Sequence, residues 1–145
     1  MQVDSPASIY QRPGHPFVAS FFGQANLLRG RLSARDGALA SVEIAPGFTV
    51  VGTAAGTAQD IPVVAVVKNE RVTLTRHRPL GAANVHEVRI ESRTFLGATL
   101  HYRASRGEQR FEVSQPNRGD AEVFSPGENA FLSWQPADCL ILPDR

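Results

Sequence analysis

The sequence predicts an all-β fold, a small β-barrel of short antiparallel strands preceded by two short N-terminal helices. Three observations favour it. Apolar and polar residues alternate in many short segments, turn residues separate these segments, and no long segment has a helical period. The alternation is clearest from Val85 to Val113, where it predicts three antiparallel strands.

Two glycines punctuate this central stretch. Gly97 falls within the alternating pattern, so we expect a β-bulge or a bend there. Arg106-Gly107-Glu108 predicts a short hairpin turn with glycine available for positive φ. The same alternation places Leu100 and Phe111 in one core.

The first 23 residues predict two short helices. Ser5 can cap the first helix, Pro6 suits its first position, and Pro13-Gly14 ends it. The second helix begins near His15 and stops at Gly23. It carries apolar residues at helical spacing: Phe17, Val18, Phe21 and Phe22.

The remaining strands follow from Asn26 onwards, where the period changes to two. We expect a turn at Asp36-Gly37 and a strand over residues 48–51. A surface loop over 52–60 precedes a buried strand over 61–67, because that run is wholly apolar and too short for a typical helix. After a turn at 68–71, residues 72–74 are extended. Loops are expected over 76–83 and 115–127, and closing strands over 130–134 and 139–142.

Composition restricts the class of protein. The 145 residues are enough for one domain, and the net charge is +1 with the basic residues spread along the chain. Nucleic acid is therefore not favoured as a partner. Cys139 is the single cysteine and reads as a small buried hydrophobe, so no disulfide is expected and a cytoplasmic location fits. No apolar run approaches the roughly 18 residues that a membrane-spanning helix needs.

Particular motifs resemble a known family. Gln2 to Tyr10, Arg12-Pro13, Phe17 to Gly23 and Asn26 resemble the last helices of the nucleotide-binding domain in ABC importers. Phe95 to Thr99, Tyr102 and Leu132 to Asp138, followed by Leu140 to Leu142, resemble the OB-like transport-associated (TOBE) domain that follows it. The resemblance implies tail helices over 1–23 and an OB-like domain over 24–145. It is greatest to the polyamine (spermidine/putrescine) branch, although Asp4, Ser8 and Lys68-Asn69-Glu70 depart from the usual pattern.

This resemblance implies an accessory, regulatory domain that stabilises the dimer of an importer's ATP-binding subunit. The chain lacks a phosphate-binding Gly-x-x-x-x-Gly-Lys-Ser/Thr loop, so we expect no enzymatic activity and no cofactor. ATP and Mg would be bound by the missing domain of the parent subunit, from which we expect this domain to have been excised. The implied partners are the parent nucleotide-binding domain, its dimer mate and the transmembrane permease subunits, at the inner face of the membrane.

Candidate sites are few, and no catalytic or metal-binding residue is predicted. Arg76-His77-Arg78 is a candidate contact for an anion or an acidic partner, but a solvated loop is the favoured interpretation. His86 and His101 are expected to form a solvated pair on neighbouring strands, and Trp134 to lie in the core. A dimer or partner interface is predicted on the N-terminal helices, at Ile9, Tyr10, Phe17, Val18, Phe21 and Phe22.

A second function remains open from the sequence. An OB-like module without an ATPase partner can hold an oxyanion, a sugar or single-stranded nucleic acid. Stacking on single strands needs exposed aromatic residues beside a basic groove. Most aromatic residues here occupy inward-reading positions or the N-terminal helices, which disfavours this alternative.

We predict that the chain forms a homodimer through its N-terminal helices. Burying a Phe or Ile side chain is worth about 1.5–3 kcal/mol, so several exposed together would drive association. Sedimentation of the full chain should give a dimer, and a version beginning at Gln24 should give a monomer. A full chain that is monomeric at high concentration, with stability unchanged by the truncation, would contradict the prediction.

Overall fold

A computed structural model describes residues 24–54, 62–81, 84–118 and 122–144. The described residues divide into two compact units, the first within residues 1–68 and 136–145 and the second within residues 69–135. The predicted N-terminal helices lie outside the described residues. Within the described ones, helical structure is confined to two 3₁₀ turns, Asn69–Arg71 and Pro136–Asp138. The predicted all-β class is confirmed.

Ten strands account for most of the described residues. In chain order they are β1 (Ala25–Asp36), β2 (Leu39–Ala45), β3 (Phe48–Ala54), β4 (Pro62–Lys68), β5 (Thr73–Thr75), β6 (Asn84–Leu96), β7 (Thr99–Arg106), β8 (Gln109–Pro116), β9 (Asn129–Trp134) and β10 (Cys139–Pro143). The predicted turn at Asp36-Gly37 is confirmed, with Gly37 at φ +63°. Strand β3 runs on to Ala54 and β8 to Pro116, so both strands extend into segments predicted as loops.

The first unit is a closed barrel with the strand order β1-β2-β3-β10-β4. Its pairs are antiparallel except β3 with β10, which run parallel with Leu140 opposite Thr53. Residues 63–67 of β4 are all buried, as predicted for this apolar run. A strand covered on both faces has no polar side to alternate with, and this explains the unbroken run of Val and Ala.

A close approach inside the barrel requires glycine at position 52. A Cβ atom there would lie 2.7 Å from the carbonyl oxygen and 2.8 Å from the Sγ of Cys139. No larger residue fits without displacing the backbone of β10. Gly52 therefore allows β3 and β10 to pair and the barrel to close.

The second unit is a five-stranded antiparallel sheet with the order β5-β9-β6-β7-β8. One face carries the fully buried side chains of Leu100, Tyr102 and Ala104 on β7 and of Phe111 and Val113 on β8. Leu100 and Phe111 thus lie in the core, as the alternation predicted. Trp134 is also buried, at 4% exposure.

The expectation of a bulge or bend at Gly97 is wrong. Gly97 and Ala98 form the turn that joins β6 to β7, and Gly97 has φ +66°. The apolar residues Leu96, Ala98 and Leu100 keep the same parity across this turn, so the sequence resembles one continuous strand. The break in register lies instead between Ile90 and Ser92, where Glu91 has no opposite residue on β7. The turn at Gly107, with φ +59°, is as predicted.

We predict that Phe111→Ala lowers the free energy of unfolding by about 3–5 kcal/mol, because it removes a fully buried ring and leaves a cavity. Denaturant titration measures the change. Arg110→Ala, at an exposed position of the same strand, is the matched control and should change stability by less than about 0.5 kcal/mol. A loss under about 1 kcal/mol for Phe111→Ala would contradict the assignment of the inner face.

Candidate functional site

A cleft of about 590 Å³ opens in the second unit beside the edges of β5 and β8. One wall is formed by Glu70, Val72 and Thr73. The other is formed by the end of β8, Ser114 to Pro116, together with Arg118. Its volume falls within the range of about 300–1,000 Å³ that is usual for small-molecule sites.

Two opposite charges stand at this cleft without being paired to each other. Glu70 lies in the 3₁₀ turn before β5, and Arg118 follows β8; both side chains are exposed. Among the residues that the structure describes, neither has an ion-pair partner. The carboxylate and the guanidinium therefore remain available to a ligand.

A hydrogen-bonded array orients the hydroxyl of Ser114 at the cleft wall. His101 Nε2 lies 2.5 Å from Glu112 Oε1, and His101 Nδ1 lies 3.3 Å from Ser114 Oγ. Arg103 Nε donates to the other oxygen of Glu112 at 3.3 Å. Because an ionised carboxylate only accepts, the neutral form of this imidazole carries its proton on Nε2. In that form Nδ1 accepts from Ser114, whose oxygen lone pairs remain free for a donor.

Serine, histidine and carboxylate occur here in the hydrogen-bond order of a catalytic triad, but the backbone does not suit a hydrolase. Ser114 lies opposite His101 within a regular antiparallel ladder, whereas a nucleophilic serine typically sits on a strained turn that exposes its Oγ. We therefore interpret the array as fixing the orientation of the Ser114 hydroxyl rather than activating it.

Arg76, the first residue of the predicted anion-binding loop, makes its contacts within the protein. Its guanidinium hydrogen-bonds both carboxylate oxygens of Glu128 at 3.2 Å and lies 3.7 Å from Glu122. It also donates to the carbonyl of Val123 at 3.2 Å and stacks 4.8 Å from the ring centroid of Phe124. Its positive charge is therefore offset locally.

The other two residues of that loop differ from Arg76. The backbone carbonyl of His77 accepts a hydrogen bond from Thr75 Oγ1 at 2.8 Å. The guanidinium of Arg78 lies 5.1 Å from the ring centroid of Phe131. Anion or acidic-partner binding by Arg76, His77 and Arg78 stays a prediction.

His86 and His101 do not form the solvated pair expected from the sequence. His86 is only 7% exposed and lies opposite Leu132, with its ring 5.4 Å from that of Trp134. His101 lies opposite Thr94, further along β6. Burial lowers the pKa of His86 to about 4, and the positive charges of Arg106 and Arg78 act in the same direction. His86 has the same parity as Val88 and Ile90 on β6, so it lies on the buried face of this strand.

The structure adds site residues that the sequence analysis did not select. Glu70, Ser114 and Arg118 are far apart in the chain and come together only because the sheet brings β8 close to the start of β5. Their sequence signal is weak, since each is a single polar residue beside a turn or strand end. The predicted interface residues of the N-terminal helices lie outside the described part.

The described residues contain no group of three or more His, Cys, Asp or Glu side chains placed to hold a metal ion. None of the helices among them is long and apolar enough to cross a membrane.

The barrel and the second sheet define an OB-like β-domain. Residues 65–142 match the family described as the TOBE domain. This chain belongs to the TOBE domain family.

Similar proteins include ATP-binding subunits of importers. The spermidine/putrescine import ATP-binding protein PotA of Thermobifida fusca is 30% identical over 98% of this chain, and PotA 1 of Pseudomonas aeruginosa is 32% identical over 99% of it. The PotA of Rubrobacter xylanophilus is 31% identical over 97%. This chain spans less than two fifths of the length of these relatives, 38%, 38% and 37% respectively.

A solved structure shares the fold. The cytoplasmic molybdate-binding protein ModG, with molybdate bound, matches with a TM-score of 0.72 at 18% sequence identity. The match covers 81% of this chain and 95% of that one. It confirms the OB-like architecture.

We predict that His86 makes the protein less stable in acid. Above pH 6.5 the imidazole is neutral in both folded and unfolded states. As the pH falls from 6.5 towards 4, the unfolded chain takes up a proton that the folded protein does not, and stability is lost. Between pH 7.5 and 4.5 the loss from this residue is on the order of 2–3 kcal/mol.

Urea titration at both pH values tests this. The wild type should lose more stability than His86→Gln, since only the wild type carries this titration. Equal losses in the two proteins, or an NMR titration of His86 centred near its ordinary pKa, would contradict the burial of a neutral imidazole.

Proposed function

We propose that this chain is the C-terminal regulatory domain of the ATP-binding subunit of an ABC importer, and that the importer takes up polyamines such as spermidine and putrescine. The observation that carries the proposal is the alignment with the three PotA proteins, which extends over nearly the whole chain at 30–32% identity. A match confined to the barrel would have supported only a shared fold.

The length relation supports an accessory role. This chain corresponds to 37–38% of each PotA protein, so most of the relative's length is left for an ATP-binding domain. In this proposal the missing domain binds ATP and Mg, and the chain described here contributes no catalytic residue. Its partners are that nucleotide-binding domain, the dimer mate and the transmembrane permease subunits, at the cytoplasmic face of the membrane.

The proposed mechanism is a shift in the equilibrium of the ATPase dimer. Two β-domains that contact each other across the dimer favour the arrangement in which their contact is best. A ligand or partner that binds one arrangement more tightly moves the equilibrium by the difference in its binding free energies. The apolar residues of the segment over 1–23, such as Phe17 and Phe21, would join the domain to the ATPase if the segment forms the helices predicted from the sequence.

An alternative function is a ligand-binding module that works without an ATPase partner. The structure of ModG carries molybdate, and the cleft of the second unit in this chain contains one guanidinium, that of Arg118. This alternative predicts saturable oxyanion binding by the isolated chain and no effect on any ATPase.

A chimeric importer tests the proposal. The region of the T. fusca PotA that aligns with this chain is replaced by it, and the chimera is assembled with the cognate permease subunits. We expect ATP hydrolysis and spermidine uptake to be retained, and both to fall when the domain is deleted. Phe111→Ala in the chimera serves as the misfolding control.

The outcomes separate the two parts of the proposal. A chimera that folds but behaves like the deletion in ATP hydrolysis would overturn the regulatory role. The polyamine assignment alone would be overturned by a chimera that hydrolyses ATP normally but does not support spermidine uptake, if the same domain supports uptake of another substrate in another importer.

A further inference from the structure

The two units are built on the same strand plan, but only one is closed. In the barrel, three consecutive strands, β1 to β3, are followed by β4, and β10 lies between β3 and β4. In the second unit, β6 to β8 are followed by β9, and β5 lies beside β9. Strand β5 therefore corresponds to β10, and the β5–β8 seam corresponds to the β3–β10 pair.

The seam differs from its counterpart in hydrogen bonding. The β3–β10 pair is a parallel ladder, with Leu140 opposite Thr53 and Ile141 opposite Ala54. Strands β5 and β8 are the two edges of their sheet, each paired on one side only. The cleft of about 590 Å³ lies at the end of this unpaired seam. A sheet edge leaves backbone donors and acceptors unpaired, so they are available to an added strand or ligand.

We propose that the cleft at the β5–β8 seam binds a small zwitterion, a molecule of the amino-acid class that carries one ammonium and one carboxylate. Glu70 binds the ammonium and Arg118 binds the carboxylate. Thr73, Ser114 and Gln115 are the other polar residues of the lining, and Val72 and Pro116 are its apolar residues.

The array behind Ser114 decides which end of the ligand it contacts. In the neutral form of His101, Glu112 holds the proton on Nε2 and the Ser114 hydroxyl donates to Nδ1. Its oxygen therefore accepts from a ligand N–H and adds to the ammonium site of Glu70. His101 and Glu112 act as positioning residues, because they reach the ligand only through Ser114.

The charges of the cleft exclude the two simpler ligand classes. A polyamine carries several ammonium groups, whereas the lining offers one carboxylate and also a guanidinium that repels it. A divalent oxyanion meets one guanidinium and is repelled by Glu70. Only a ligand with both charges satisfies both residues. This inference is independent of the importer role, since it concerns the isolated chain.

Calorimetry and amide chemical shifts on the full chain test the proposal. The probes are L-serine, β-alanine and γ-aminobutyrate as zwitterions of increasing charge separation, putrescine as the cation and acetate as the anion. We expect at least one zwitterion to bind saturably, with shifts at residues 72–73 and 114–118. Putrescine and acetate should bind at least about tenfold more weakly.

Single and paired charge variants locate the site. Glu70→Gln and Arg118→Gln should each weaken zwitterion binding at least about tenfold, and the double reversal Glu70→Arg with Arg118→Glu should recover it with the ligand turned round. Ser114→Ala and His101→Phe should weaken the zwitterion but leave acetate unchanged. Glu108→Gln and Arg110→Gln change exposed charges that do not line the cleft. They are the matched controls and should have no effect.

Three results would overturn the proposal. They are no saturable binding of any zwitterion at millimolar concentration, binding of putrescine as tight as that of the zwitterions, and zwitterion binding that Glu70→Gln and Arg118→Gln leave unchanged. The chimera experiment reads ATP hydrolysis and transport, so its failure and the failure of this proposal are distinguishable.

Discussion

The barrel depends on a strand that the chain supplies only after the whole of the second unit. Strand β10 follows β9 in sequence but fills the barrel between β3 and β4, and β5 follows β4 but pairs with β9. The barrel therefore cannot close until nearly the whole chain has been synthesised. Pairing strands that are far apart in sequence costs chain entropy before any contact forms. The burial of the apolar strand β4 and the close approach at Gly52 must offset this cost.

The second unit compensates for its open seam by anchoring a loop on its core. Phe124 belongs to the irregular segment after β8, yet its ring is fully buried and packs edge-on against Tyr102. Its N–H donates to the Tyr102 hydroxyl at 3.0 Å, and its carbonyl accepts from Arg93 at 3.0 Å. Arg76 covers the ring from outside. These hydrogen bonds satisfy buried backbone groups of a loop that is not part of any sheet ladder.

The two units differ in how completely their strands are paired, and this difference suits the proposed regulatory role. The closed barrel is a rigid support, because every strand in it is paired on both sides. The open sheet keeps two edges and a polar cleft, where a small ligand adds contacts without breaking existing ones. In the proposed importer role, a ligand bound at this seam would stabilise the arrangement that it prefers and shift the population of the ATPase dimer.

The sequence by itself determined the all-β class, most of the strands, the buried run of β4 and the inward face that holds Leu100 and Phe111. These features depend on local periodicity, which is visible in the spacing of apolar residues along the sequence. The tertiary structure alone decided the place of β10 between β3 and β4, the turn at Gly97 and the neutral state of His86. It also decided which polar residues meet at the seam. Strand pairing and solvent exclusion join residues tens of positions apart, and alternation records only which face a residue occupies, not what lies opposite it.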